Sequence, residues 1–462
     1  MIPDLRNNIY PESVAIIGAA RSGLAAASFF MQKGTHVFIS DLCEEEKLLS
    51  ILESRGLGKV DYEAGMHTEK ILERQLIVLS PGVRSDLPVL LKAREKGIPV
   101  WSEMELGFRA SRATFLAITG STGKSTTVSL LGAALKAAGL ESVVAGNIGI
   151  PVISEVPSLS VNGFVAAEVS SFQLENIDQF RPLGAAVLNL MKNHLDRYVS
   201  EDDYYNAKKE IARNLTKENY LVLNANDALL MEWAEQIKTK TNVIFFGADL
   251  PGRDCFYCVN GKIFYRFLGE SGEILDVDMM RIKGKHNHEN ACVAAALAKA
   301  AGVNNEAIRR GLCSFEGLEH RLEFVADMGG VKFYNDSKST TAESVTVAVS
   351  AFSGGVHLIA GGRDKGCDFS AVNEAVEKHV SDICLIGEAA DRMQKQWEGL
   401  APINRAGTLH EAILKAVKNA VPGDAVVFSP GCSSFDMFAN YEERGNIYKQ
   451  LVRELVKERS VS

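Results

Sequence analysis

Lysine, serine and threonine set directly after a two-glycine turn can grip polyphosphate, and Gly120-Ser121-Thr122-Gly123-Lys124-Ser125-Thr126 has that order. The glycines let backbone N–H groups converge, a helix N-terminus adds partial positive charge, and Lys124 neutralises the outer phosphates. Ser125 or Thr126 offers a hydroxyl to Mg²⁺. Apolar residues 115–118 predict a buried strand feeding the turn, and Leu130, Leu131 and Leu135 predict the helix leaving it. The spacing is more compact than the full P-loop pattern, because Ile118 stands where that pattern has its first glycine. This is a nucleotide-binding loop.

Other strand tips carry related chemistry. Residues 13–17 predict a strand ending in Gly18-Ala19-Ala20-Arg21-Ser22-Gly23, and Asp41 closes the next strand. That is a β-α-β fingerprint for a dinucleotide or another diphosphate nucleotide. Residues 76–79 predict a strand ending at Ser80-Pro81-Gly82 on the same carboxyl edge. Glu168 ends the strand predicted at 164–169, where an acid can hold Mg²⁺ beside the loop. His194 follows a predicted strand, residues 204–214 predict a helix bearing Lys208 and Lys209, and Asn260-Gly261 predicts a hairpin turn. Beyond Gly317, three predicted strands end in turns containing Asn335-Asp336-Ser337-Lys338, Gly361-Gly362-Arg363-Asp364-Lys365 and Ser429-Pro430-Gly431-Cys432-Ser433-Ser434.

The elements that position these turns need room, and 462 residues give about three domains of ~150 residues each. A formal net charge of −8 leaves no electrostatic footprint for nucleic acid. The N-terminus lacks the basic-then-apolar order of a secretory signal, and no apolar run reaches the ~18 residues of a membrane span. The eight cysteines are scattered, and Cys255-Phe256-Tyr257-Cys258 has no second pair to complete a zinc site. The expected setting is the reducing cytoplasm.

In chain order these motifs resemble the Mur ligase family, ATP-dependent amide-bond ligases of peptidoglycan precursor synthesis. Gly146-Asn147-Ile148-Gly149, Glu168-Val169-Ser170-Ser171, His194-Leu195-Asp196, Gly284-Lys285-His286-Asn287 with Asn290, and His320-Arg321 extend the resemblance over nearly the whole chain. The run from Ser429 to Gly445 is similar to the signature of the member that adds D-glutamate.

The resemblance implies three α/β domains: a Rossmann-like domain for the UDP-linked substrate (1–108), a central ATP-binding domain with a mostly parallel sheet (109–316), and a Rossmann-like amino-acid domain (317–462). It implies that the γ-phosphoryl of ATP passes to the alanine carboxylate of UDP-N-acetylmuramoyl-L-alanine, and that the amine of D-glutamate then displaces phosphate. Lys124, Glu168, His194, Lys209 and Arg321 would be catalytic. ATP would meet the loop from Gly120 to Thr126, with Asn287, Asn290, Arg321 and Asp336. Of two Mg²⁺ ions, one would take Ser125 or Thr126 and Glu168. The other would take His194 and a carbamate on Lys209, with Lys208 next in register. Ser22, Asp41, Ser80, Pro81 and Gly82 would receive the UDP end, with Asn147 and His194 nearer the muramoyl part. Lys338, Thr340, Lys365, Ser434 and Tyr441 would hold D-glutamate. A monomer without nucleic-acid or membrane partners is expected.

Two departures stand out. Asn193 replaces the family's aspartate before the histidine, and Ser339-Thr340-Thr341 replaces Ala-Thr-Asn. Rival readings are folylpolyglutamate synthetase, which shares the central loop but lacks the N-terminal unit, and a nucleotide-binding regulatory protein.

Overall fold

Short apolar runs bounded by glycine turns form parallel strands when helices cover both sheet faces. Ser13–Ile17, Thr114–Thr119 and Val356–Gly361 are such runs, almost wholly buried, and each lies inside a different sheet. The fold is that of a computed structural model describing residues 4–191, 197–364 and 366–461. The chain divides into two compact units: Met1–Arg281 with Lys285–Phe315, and Ile282–Gly284 with Glu316–Ser462.

The first unit contains two sheets. The N-terminal sheet is entirely parallel, in the order Asp61–Ala64, His36–Asp41, Ser13–Ile17, Leu76–Leu79, Val100–Ser102. Strand order reverses between Ser13–Ile17 and Leu76–Leu79, and ligands of open α/β sheets bind at such a reversal. The central nine-stranded sheet places Thr114–Thr119 between Gly184–Val187 and Phe164–Glu168, all parallel. Its far edge is the antiparallel ribbon Cys255–Val259, Lys262–Phe267, Glu270–Asp276. The expected hairpin turn forms there, with positive φ at both Asn260 and Gly261, the conformation a tight two-residue turn requires.

The helix Glu103–Arg109 runs across the expected domain limit at residue 108. The buried Glu105 carboxylate explains this, because it accepts the backbone N–H groups of Asp178, Gln179 and Phe180 as well as Arg109 Nε. That helix therefore bolts the two sheets' surroundings together.

The second unit contains a six-stranded sheet ordered Glu323–Met328, Val331–Asn335, Ala425–Phe428, Val356–Gly361, Val380–Ile386, Ile403–Arg405. Only its first pair is antiparallel. With the N-terminal and central sheets this makes the three α/β domains the motifs implied. Near the amino end of Val356–Gly361, buried His357 lies between two carboxylates, Asp382 at 2.9 Å and Asp424 at 3.0 Å. Burial alone would lower the imidazole pKa, but the two hydrogen-bonded carboxylates outweigh it and raise it above the ordinary 6.5. A raised histidine stabilises the fold fully below its unfolded pKa and loses that contribution as pH rises through the folded one. The thermal midpoint of the wild-type chain should thus fall between pH 6 and 8 by more than that of His357→Gln. The variant itself should lose ~3–5 kcal/mol. Parallel pH profiles would contradict this assignment.

Candidate active site

The loop after Thr114–Thr119 is shaped by its neighbours. Gly123 caps the helix Lys124–Ala137 with φ +82°, and a Cβ there would lie 2.8 Å from Asn290 Oδ1. Only glycine meets both conditions. The consecutive N–H groups of Ser121 and Thr122 converge on one oxygen, Asn189 Oδ1, each at 3.0 Å. Lys124 folds back over the turn, with Nζ 2.9 Å from Gly120 O and 3.1 Å from Ser121 O. Ser125 is half-buried and Thr126 buried in the first helical turn. Converging amides, a helix N-terminus and an ammonium make an anion cradle.

Glu168 stands at the tip of the adjacent strand, in register with Ile118. Its Oε1 accepts Asn147 Nδ2 at 2.9 Å, while its buried Oε2 has no hydrogen-bond partner. A buried, unpaired carboxylate oxygen beside an anion cradle fits a hard cation. Among the described residues no group of three or more His, Cys, Asp or Glu is arranged to hold a metal. His194 lies outside the described residues. The stretch leading to it is tied to the loop, since Met191 N–H donates to Ser121 Oγ at 2.9 Å.

The helix Glu201–Lys209, capped by Ser200, sends Lys208 rather than Lys209 to the loop. Lys208 is buried, its Nζ 2.9 Å from Gly120 O and 4.4 Å from the centre of the Tyr204 ring. Burial, then the neighbouring Lys124, pushes its pKa down to about 6. Lys209 is only partly buried and points over Trp233, 5.8 Å from the ring centre. Of the two neighbouring lysines, Lys208 is the one that reaches the phosphate loop.

Asn290 is buried beneath the loop, where its Oδ1 accepts Thr127 Oγ1 at 3.0 Å and its Nδ2 donates to Asn287 Oδ1 at 3.3 Å. It supports the cradle instead of facing a base.

In the N-terminal crevice, Ser80 Oγ donates to Gly18 O at 2.8 Å, joining the two turns at the strand reversal. Asp41 accepts the N–H groups of Ala19 at 2.6 Å and Cys43 at 2.8 Å. Burial would raise its pKa, but these hydrogen bonds outweigh it and hold the carboxyl below its ordinary value. Ser22 is half-buried one residue into the helix Arg21–Gln32, and Pro81 and Gly82 form the turn after Ser80.

In the second unit, exposed Arg321 is flanked by His320 at φ +61° and Leu322 at φ +42°. Two left-handed non-glycine residues around one exposed guanidinium are the kind of strain found at functional sites. Asp336, expected near the nucleotide, is held inside the sheet's turns. It is buried, accepting Ser429 Oγ at 2.8 Å, Ser339 Oγ, and Leu322 N–H at 3.1 Å. Burial pushes its pKa up to about 6, the hydroxyl hydrogen bonds opposing. It stitches three turns together. Lys338 Nζ lies 5.9 Å from the centre of the Tyr441 ring, Ser434 is buried and Thr340 half-buried. Lys365 lies outside the described residues.

Two residues received no role from sequence. Asn189 lies just past a strand tip, a position that could have flagged it. Arg444 is wholly buried and donates to Ser337 Oγ at 3.0 Å, Ser337 O at 2.8 Å and Cys432 O at 3.0 Å. It braces the turns that carry Lys338 and Ser434.

Three family models match the chain: the MurD-like N-terminal domain at residues 12–102, the Mur ligase middle domain at 118–298 and the Mur ligase glutamate ligase domain at 320–432. The UDP-N-acetylmuramoylalanine–D-glutamate ligase of Acidobacterium capsulatum is 40% identical over 444 residues, 96% of each chain. That of Geotalea uraniireducens is 40% identical over 445 residues, covering 96% of this chain and 98% of the relative. In structure the chain is similar to MurF of Acinetobacter baumannii, with TM-score 0.61 and 18% identity over 96% of this chain and 93% of that one. It is also similar to the UDP-N-acetylmuramate-alanine ligase MurC of Thermotoga maritima, with TM-score 0.59 and 17% identity over 98% and 100%. These structures speak to the fold alone. Family models across all three sheets, with relatives matched nearly end to end, lead to one conclusion: the chain belongs to the Mur ligase family.

Proposed function

We propose that this chain is an ADP-forming ligase that joins D-glutamate to UDP-N-acetylmuramoyl-L-alanine in peptidoglycan precursor synthesis. The single observation that carries the substrate assignment is 40% identity over 96% of the chain to a ligase of that name. The loop geometry supports the phosphoryl-transfer half. A carboxylate oxygen of the alanine attacks the γ-phosphorus, ADP departs, and the amine of D-glutamate attacks the acyl carbon. Phosphate leaves with that carboxylate oxygen, and the amide remains.

Little covalent work falls to the protein in such a reaction, so positioning and charge neutralisation dominate. The Ser121 and Thr122 amides and Lys124 would receive the β- and γ-phosphates, whose oxygens would take the place of Asn189 Oδ1 and the Gly120 carbonyl as acceptors. Glu168 with Ser125 or Thr126 would hold one Mg²⁺, and His194 with a carbamate on Lys208 a second. The ions would neutralise charge developing on the transferred group. Lys208 replaces Lys209 in this scheme because only a neutral amine adds CO₂, and a pKa pushed down to about 6 leaves Lys208 mostly neutral at pH 7. Arg321 stabilises the transferring phosphoryl group, and Lys338, Thr340, Lys365, Ser434 and Tyr441 hold D-glutamate. Asp41, Ser22 and the Ser80 turn receive the UDP end. The domain limits are taken as 1–108, 109–316 and 317–462.

Phosphate release tests the assignment. It should require ATP, UDP-N-acetylmuramoyl-L-alanine and D-glutamate together. Equal turnover with L-glutamate or a folate would overturn it, and no turnover with any acceptor would favour a regulatory nucleotide-binding protein.

A further inference from the structure

The Ser80 turn is held from behind by a side chain to which nothing above gives a role. Arg197 donates through Nη1 to Pro81 O at 3.0 Å and through Nη2 to Val83 O at 2.9 Å. Nη2 also reaches Glu175 Oε2 at 3.4 Å, and the guanidinium lies 3.9 Å from the centre of the Phe172 ring. Glu175 is fixed in turn by Tyr198 Oη at 2.5 Å and by Ser85 Oγ, and Tyr198 stacks on Phe172 with ring centres 5.9 Å apart. Arg197 is thus gripped by the helix Ser171–Leu174 and the residue after it, in the element that follows Glu168.

Pinning carbonyls also aims amides. The chain contains no cis peptide bond among the described residues, and in a planar trans peptide the C=O and the next N–H point to opposite sides. With the Pro81 and Val83 carbonyls turned toward Arg197, the N–H groups of Gly82 and Arg84 face the other way. Gly82 and Arg84 are both exposed. Two outward amides on a turn beside the Gly18 fingerprint, at the strand reversal, suit a diphosphate.

We propose that Arg197 is a positioning residue for the nucleotide-sugar: by holding two carbonyls it orients the turn's amides toward the diphosphate of the UDP-linked substrate. The proposal rests on the functional reading above for the identity of that substrate. Lysine cannot replace it fully, since one ammonium lacks the planar fork that serves two carbonyls and a carboxylate at once.

Calorimetric titration of Arg197→Ala and Arg197→Lys, with UDP-N-acetylmuramoyl-L-alanine, UDP alone and ADP as probes, tests this. Arg197→Ala should weaken both uridine nucleotides by ~10–100-fold, as expected for losing charged hydrogen bonds, with ADP affinity changed by less than about twofold. Arg197→Lys should fall between wild type and alanine and fold normally, which keeps the test open if alanine misfolds. Unchanged uridine-nucleotide affinity in both variants, or equal losses for ADP, would overturn the proposal. UDP binding needs no turnover, so failure of the ligase reading, seen as no three-substrate activity in wild type, is separable from failure here.

Discussion

Lys208→Ala is expected to lower turnover by ~10²–10³-fold, whereas Lys209→Ala should stay within a few-fold of wild type. The two lysines are neighbours, but one helical step rotates a side chain by about 100°. Lys208 is buried against the phosphate loop at 2.9 Å from Gly120 O, while Lys209 leans on Trp233. A pKa pushed down to about 6 favours the neutral amine, the form that the carbamate proposed above requires. Such an anion beside Lys124 would add an attraction that a neutral amine lacks. Short carboxylates such as formate should partly restore Lys208→Ala by filling the space the carbamate leaves. Steady-state rates with and without formate check this. Full activity in Lys208→Ala, or a severe loss in Lys209→Ala, would contradict the assignment.

Glu168→Gln should cost a similar ~10²–10³-fold in kcat and raise the Mg²⁺ concentration for half-maximal rate. The substitution preserves shape, and its carbonyl oxygen can still accept Asn147 Nδ2, so the turn at Gly146 should remain in place. It changes the partnerless Oε2 into an NH₂ group, which cannot ligate a cation. Manganese-bound nucleotide, followed by electron paramagnetic resonance, gives a readout independent of turnover. The variant should bind nucleotide but shift the Mn²⁺ titration to higher concentration. An unchanged metal titration would show that Glu168 is not a ligand.

What could be read from sequence was what local chemistry encodes. The glycines of the phosphate loop, the Asn260-Gly261 turn and the acid at the tip of Phe164–Glu168 depend on near neighbours, and each lies where its residue type demands. The rest depends on contacts across long stretches of chain. Asn189 Oδ1 gathers the loop amides from 67 residues beyond Thr122, and Arg197 reaches back 116 residues to Pro81. Arg444 braces a turn 107 residues earlier. The choice between Lys208 and Lys209 turned on helix phase, which an unbroken pair of lysines leaves open. Asp336 shows the converse: a polar residue in a motif reads as ligand-facing, yet donors from its own turn and from the turns at Leu322 and Ser429 draw it inside.

The most direct test follows one oxygen atom. If the alanine carboxylate is activated by the γ-phosphoryl group, UDP-N-acetylmuramoyl-L-alanine labelled with ¹⁸O in that carboxylate should pass one labelled oxygen to each phosphate released. Phosphate carrying no label, with the amide still formed, would mean that the acid is never phosphorylated.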